Sequence, residues 1–115
     1  MKNELNLNWD QEFAGSVTIC DTKGVILYMN NKALDDFKDD GGKALLGTNI
    51  LDCHPEPSRT QCKNMLKEQS ENTYTVEKKG KKKLIYQGPW YRNGKYAGIV
   101  EISHALPTNM QNIVR

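Results

Sequence analysis

The sequence predicts an α+β domain: one five-stranded antiparallel sheet with short helices covering one face. Three observations lead there. Two short strand-like runs stand near the N-terminus and three longer alternating runs near the C-terminus. Tight-turn signals separate neighbouring runs. Between the two groups lies helical spacing broken by a glycine pair and two prolines, too interrupted for one long helix.

The elements follow in order. Residues 1–13 (MKNELNLNWDQEF) set Leu5, Leu7, Trp9 and Phe13 among polar residues, as a short helix or an extended arm needing a surface to cover. Ser16 to Asp21 is β-branched and alternating, and Val25 to Met29 is a short apolar run. Asp21-Thr22-Lys23-Gly24 joins them as a type I turn, with Asp to bond its own backbone and Gly to take positive φ. Asn30 or Asn31 caps a helix with Ala33, Leu34 and Phe37 on one face, ended by Asp39-Asp40-Gly41-Gly42. A turn at Ala44–Leu46 stops at Gly47, and Ile50-Leu51 leads into Asp52-Cys53-His54-Pro55-Glu56-Pro57. Ser58 and Gln61 read as a capping box opening a helix to about Gln69, with Cys62, Met65 and Leu66 on one face. A meander closes the chain: Thr73–Lys78, a turn at Gly80, Lys83–Tyr91, a type I′ signal at Asn93-Gly94, and Tyr96–His104. An isolated N-terminal hairpin is not stable in water, so the last strand is expected beside the first.

The bulk numbers fit one such domain. A chain of 115 residues buries roughly two-thirds of its unfolded surface and forms a single core. The division expected is an N-terminal cap or dimerisation segment at 1–13, the domain at 14–106, and a tail at 107–115. Hydrophobic content of 37% is low, yet the apolar residues cluster, which argues against disorder. A net charge of +2 implies no nucleic-acid partner. Apolar runs are too short to span a bilayer, so no membrane partner is expected. Three cysteines, Cys20, Cys53 and Cys62, with no secretory leader after Met1, read as free thiols in a reducing compartment; the expected location is cytoplasmic.

The order and turn positions resemble the PAS family. The residues carrying the resemblance are Val17–Asp21, the Asp21–Gly24 turn, Val25–Asn30 running into Asn31-Lys32-Ala33, Leu45–Asn49, and Gly98–Ile102. They span nearly all of residues 14–106. The Asp52-Cys53-His54-Pro55 segment further resembles a PAS subgroup found alone or at the ends of bacterial and archaeal sensors. The resemblance implies a small cavity between the helices and the concave sheet face, which in this family holds haem, flavin, a small carboxylate or nothing. It also implies a homodimer through the N-terminal extension, and an effector domain or protein outside this chain. The cavity walls are then expected at Met29, Asn30, Leu34, Phe37, Leu46, Ile50, His54, Leu66, Tyr86 and Ile99.

Other chemistry is weighed on the residues. Cys53, His54 and Cys62 are the sole cluster of metal-type ligands, but the spacing lacks a paired knuckle, so packing is the expected role. Cys53 and His54 remain the candidates for a haem or metal ligand beside the long helix. The position after Gly47-Thr48-Asn49 that would carry a flavin-reactive cysteine is Ile50. Gly41-Gly42-Lys43 lacks the rest of a phosphate loop. Lys78–Lys83 reads as a solvated hairpin tip. His104 reads as a surface residue. Along the middle meander strand, either Tyr86 and Trp90 or Gln87 and Tyr91 face the helices, since neighbours alternate. No nucleophile–base pair can be read, so no enzyme activity is expected. The function expected is a non-catalytic sensory or regulatory domain, in signal transduction or transcription regulation, binding a small ligand or a partner. The alternatives are a pure homodimerisation module without a ligand, and a haem or metal sensor through His54 or Cys53.

Overall fold

A computed structural model describes residues 7–115. Its strands are β1 (Ser16–Cys20), β2 (Ile26–Met29), β3 (Asn72–Lys78), β4 (Lys81–Arg92) and β5 (Lys95–Ala105). They form one antiparallel sheet in the order β2-β1-β5-β4-β3, so the closing strand does lie beside the first. The helices are α1 (Asn31–Asp36), α2 (Ile50–Cys53) and α3 (Ser58–Glu68), with 3₁₀ turns at Lys38–Asp40 and Gly42–Leu45. Among the described residues no helix is long and apolar enough to cross a membrane.

The turns form as their residues dictate. The Asp21 carboxylate accepts from the backbone N–H of Lys23 and of Val25, both at 2.9 Å. Lys79-Gly80 and Asn93-Gly94 both take positive φ, as two-residue hairpin loops require. The long helix begins differently from the expected capping box. Pro57 holds the cap position, Ser58 starts the helix, and no side chain caps it. Instead Glu56 accepts from the Thr60 N–H at 3.0 Å and from the Thr60 hydroxyl. The two prolines move the helix start relative to Ser58, so the Ser-to-Gln spacing no longer spans the right positions. The far end is a left-handed cap at Gln69, whose N–H returns to the Met65 carbonyl.

Asn30 ties three parts of the chain together. It is fully buried. Its side-chain oxygen accepts from the N–H of Val17 at 2.9 Å and of Ala33 at 3.0 Å. Its amide donates to the carbonyls of Asp10 at 2.8 Å and Gly15 at 2.9 Å. One side chain thus caps α1, continues the β1–β2 pairing and fixes the segment before β1. That segment is also held by Gln11, which bonds Asn31 through backbone and side chain. Of the expected N-terminal cap, residues 1–6, with Leu5, lie outside the described residues.

The core is two small clusters rather than one. Cys20, Met65 and Ile99 form the first, backed by Ile50 and Leu66. Ile26, Met29 and Ala33 form the second, backed by Leu34, Phe37, Leu45 and Ile50. Ile50 belongs to both, and the space between them is open.

A bulge near the end of the sheet decides which residues face that space. The β4–β5 hairpin pairs Arg92 with Lys95 and Tyr91 with Tyr96, but the next pair is Trp90 with Gly98, leaving Ala97 as the extra residue. Gly98 sits at φ 140°, and a Cβ there would lie 1.9 Å from the Cys20 carbonyl oxygen. The bare position lets the Trp90 indole reach across β5 and donate to that oxygen at 2.9 Å. Beyond the bulge Gln87, not Tyr86, lies opposite Glu101.

Candidate functional site: a cavity between the sheet and the helices

Three rows of side chains cross the inner face of the sheet, fixed by strand register. One runs Met29, Thr18, Glu101, Gln87, Asn72 across all five strands. The next runs Ile26, Cys20, Ile99, Pro89 and is apolar. A third begins Ser16, Ser103, Ile85, Tyr74 and lies away from the open space. Above the first two rows sits a cavity of about 420 Å³. That falls within the usual range for a small-molecule site. Its other walls come from the 3₁₀ turns, α2 and α3: Phe37, Asp40, Leu45, Ile50, Cys53, His54, Cys62 and Met65.

The polar row is hydrogen-bonded at one end and open at the other. The Asn72 amide donates to the Gln87 carbonyl oxygen at 3.5 Å. Gln87 donates to a Glu101 carboxylate oxygen at 2.6 Å. On the far side of Glu101, the Thr18 hydroxyl is buried with no hydrogen-bond partner among the described residues. A buried hydroxyl without a partner costs free energy unless something in the space beside it supplies one. His54 stands at the end of α2, and its Nδ1 lies 2.7 Å from the Ile50 carbonyl oxygen. A carbonyl only accepts, so Nδ1 carries the proton, and in the neutral ring Nε2 is the free acceptor.

Among the described residues the three thiols are not gathered into one cluster. Burial pushes the Cys20 and Cys62 thiols up, and the Glu101 carboxylate adds to the effect at Cys62. Both therefore stay protonated at neutral pH. The Cys53 thiol turns back along its own helix to the Asn49 carbonyl. Among the described residues no three His, Cys, Asp or Glu side chains gather as a metal site. Haem and flavin nucleotides bring acidic groups, yet the lining holds Asp40 and Glu101 and neither lysine nor arginine. These residues do not fit an acidic cofactor.

Of the ten expected wall residues, Met29, Phe37, Ile50, His54 and Ile99 line the cavity, as does Cys53. Leu34 and Leu66 pack behind the walls, in the two clusters. Asn30 does not line the space, because its polar atoms are engaged with backbone. Leu46 is exposed; the 3₁₀ turn puts Leu45 inward instead. Tyr86 faces the other side of the sheet and donates to Glu71 at 3.0 Å. Gln87, the alternative that strand alternation left open to Tyr86, does line the cavity; Thr18, Cys20, Ile26 and Glu101 on the sheet were missed, as were Asp40, Leu45, Cys62 and Met65. The signal for Glu101 was available: a carboxylate within an otherwise apolar strand, two residues from Ile99 and so on the same face.

The comparisons with known proteins bear on this architecture. No family model matches the chain, and no curated protein matches it. Solved structures do. The PAS domain of BvgS from Bordetella pertussis superposes with a TM-score of 0.66 at 18% identity, over 87% of this chain and 82% of that one. The fold is a PAS fold. Aer2 of Vibrio cholerae, a dual PAS–haem oxygen sensor, gives a TM-score of 0.60 at 14% identity, over 82% of this chain and 96% of that one. VqmA of Vibrio cholerae, a LuxR-type receptor, gives 0.63 at 15% identity; this chain covers 52% of it. At these identities the PAS likeness speaks to the fold, and the site's chemistry rests on the residues above.

Proposed function

We propose that this PAS-fold chain is a sensory signalling domain whose cavity takes a small, exchangeable ligand. The observation that carries the reading is the cavity itself: largely apolar walls, about 420 Å³, and a buried Thr18 hydroxyl that lacks a partner among the described residues. Related structures lend support. Aer2 is an oxygen sensor, and VqmA has been solved bound to DPO.

The layout offers a route for the signal. Met29 lines the cavity, and the next residue, Asn30, holds the carbonyls of Asp10 and Gly15. A ligand that shifts Met29 moves the N-terminal segment through that clamp. The recipient would be an effector domain or protein, in signal transduction or transcription regulation. Leu7 and Trp9 are 71% and 61% exposed, which favours a homodimer contact there as the means of transmission. Sedimentation of the whole chain beside Trp9→Ser tests the dimer: association should weaken in the variant.

The ligand reading is tested by thermal-shift and native mass measurements against a panel of small amines, alcohols, carboxylates and heterocycles. Some member should raise the melting temperature in proportion to its concentration. Ile99→Phe, which fills part of the cavity, should remove that gain while the unliganded protein stays folded. A panel without any response, or a response that Ile99→Phe leaves intact, contradicts the reading.

A further inference from the structure

The cavity's polar groups are one-sided in charge, and this sets the class of molecule it takes. The inference rests on the ligand reading above and deepens it. The lining holds two carboxylates, Asp40 and Glu101, with neither lysine nor arginine. Among the described residues neither carboxylate is in an ion pair. Asp40 is exposed at the edge of the 3₁₀ turn, whereas Glu101 is half-buried in the middle of the sheet.

Glu101 receives one neutral donor, the Gln87 amide, on one of its two oxygens. An ionised carboxylate accepts about four hydrogen bonds, so most of its capacity is left for whatever enters. The Thr18 hydroxyl, next to it in register, is buried and has no hydrogen-bond partner among the described residues. When the His54 ring is neutral its Nε2 adds a further acceptor, since Nδ1 donates to the Ile50 carbonyl. The wall opposite is apolar, with Phe37, Ile50 and Met65. Acceptors with unspent capacity, a negative charge without a cation, and a greasy wall together describe the complement of a cation on an apolar body.

The geometry points to a small organic ammonium, a primary amine on an aryl or short alkyl body, as the ligand of this cavity. Its nitrogen sits against Glu101, and its body lies between the apolar sheet row and the helices. Asp40 at the edge favours entry of a cation and opposes an anion.

The test uses the whole chain and six probes in two shape-matched sets: 2-phenylethylamine, 2-phenylethanol and phenylacetate; hexylamine, hexanol and hexanoate. Titration calorimetry should find each amine binding about tenfold or more tighter than its alcohol, with the carboxylate weakest. Glu101→Gln keeps the side-chain shape and removes the charge. It should bring each amine to within about twofold of its alcohol. An alcohol or carboxylate that binds as well as its amine overturns the ammonium assignment and leaves the ligand reading standing. An amine preference that survives Glu101→Gln also overturns it. No binding by any of the six overturns the assignment and weighs against the ligand reading too. If Glu101→Gln does not fold, the ranking with the unaltered protein decides.

Discussion

Replacing Asn30 with alanine removes four hydrogen bonds at once and leaves two N–H groups and the Gly15 carbonyl to find other partners, while the Asp10 carbonyl keeps the Phe13 N–H. At about 1 kcal/mol net for each bond, the loss is about 4 kcal/mol, of which the helix cap contributes about 1. That is a large share of the stability of a domain this size. With about 2.1 cal/mol/K of unfolding entropy per residue, 115 residues give a fall in Tm of roughly 15 °C. Urea unfolding followed by tryptophan fluorescence, beside a calorimetric scan, measures both. Asn30→Asp keeps the oxygen that accepts from Val17 and Ala33 but sets a carboxylate against the Asp10 and Gly15 carbonyls, so it should be at least as unstable. A loss under about 1 kcal/mol in Asn30→Ala would refute the clamp, since the three buried backbone groups cannot all be re-satisfied so cheaply.

Other perturbations test neighbouring parts. Gly98→Ala places a Cβ against the Cys20 carbonyl at a positive φ, and should cost about 3 kcal/mol or more in urea unfolding, or prevent folding. Trp90→Phe loses the bond to the same carbonyl and should cost about 1–2 kcal/mol. Burial and the nearby Asp10 carboxylate hold the Tyr28 phenol up at about 12, against about 10 when unfolded. A raised folded pKa means the contribution is fully present below pH 10 and lost as pH climbs towards 12. Tyr28→Phe should therefore show a shallower fall of stability over that window than the unaltered protein, in urea midpoints taken at each pH. Cys53 is exposed, while burial raises the thiols of Cys20 and Cys62. Alkylation at neutral pH followed by peptide mass mapping should modify Cys53 first and the other two much more slowly.

Local chemistry made much of the fold legible. Asp21 to Gly24 and Asn93-Gly94 could be read because their turns are built from their own side chains and φ preferences. Strand β5 beside β1 followed because a lone hairpin is not stable. What was harder to read depended on register. Continued from Tyr91 opposite Tyr96, a regular hairpin would set Tyr86 opposite Glu101, on the face of Ile99. The bulge at Ala97 shifts the pairing by one and exchanges Tyr86 for Gln87. Gly98 inside an otherwise regular strand was the clue to that bulge. Asn30 illustrates a second limit. A polar residue after a strand can cap a helix or face a ligand, and only the positions of Asp10 and Gly15 showed that its amide was already engaged. Leu45 and Leu46 exchanged roles because a 3₁₀ turn does not keep the 3.6-residue spacing.

The claim that the cavity is a binding site is tested most directly by residue-level NMR. Amide shifts of labelled protein would be followed through a titration with 2-phenylethylamine. Perturbations should centre on Thr18, Cys20, Gln87, Ile99 and Glu101, extend to Ile50 and Met65, and pass through Asn30 to Asp10 and Gly15. Shifts confined to the outer face around Tyr86 and Leu84, or a spectrum that does not change, would contradict it.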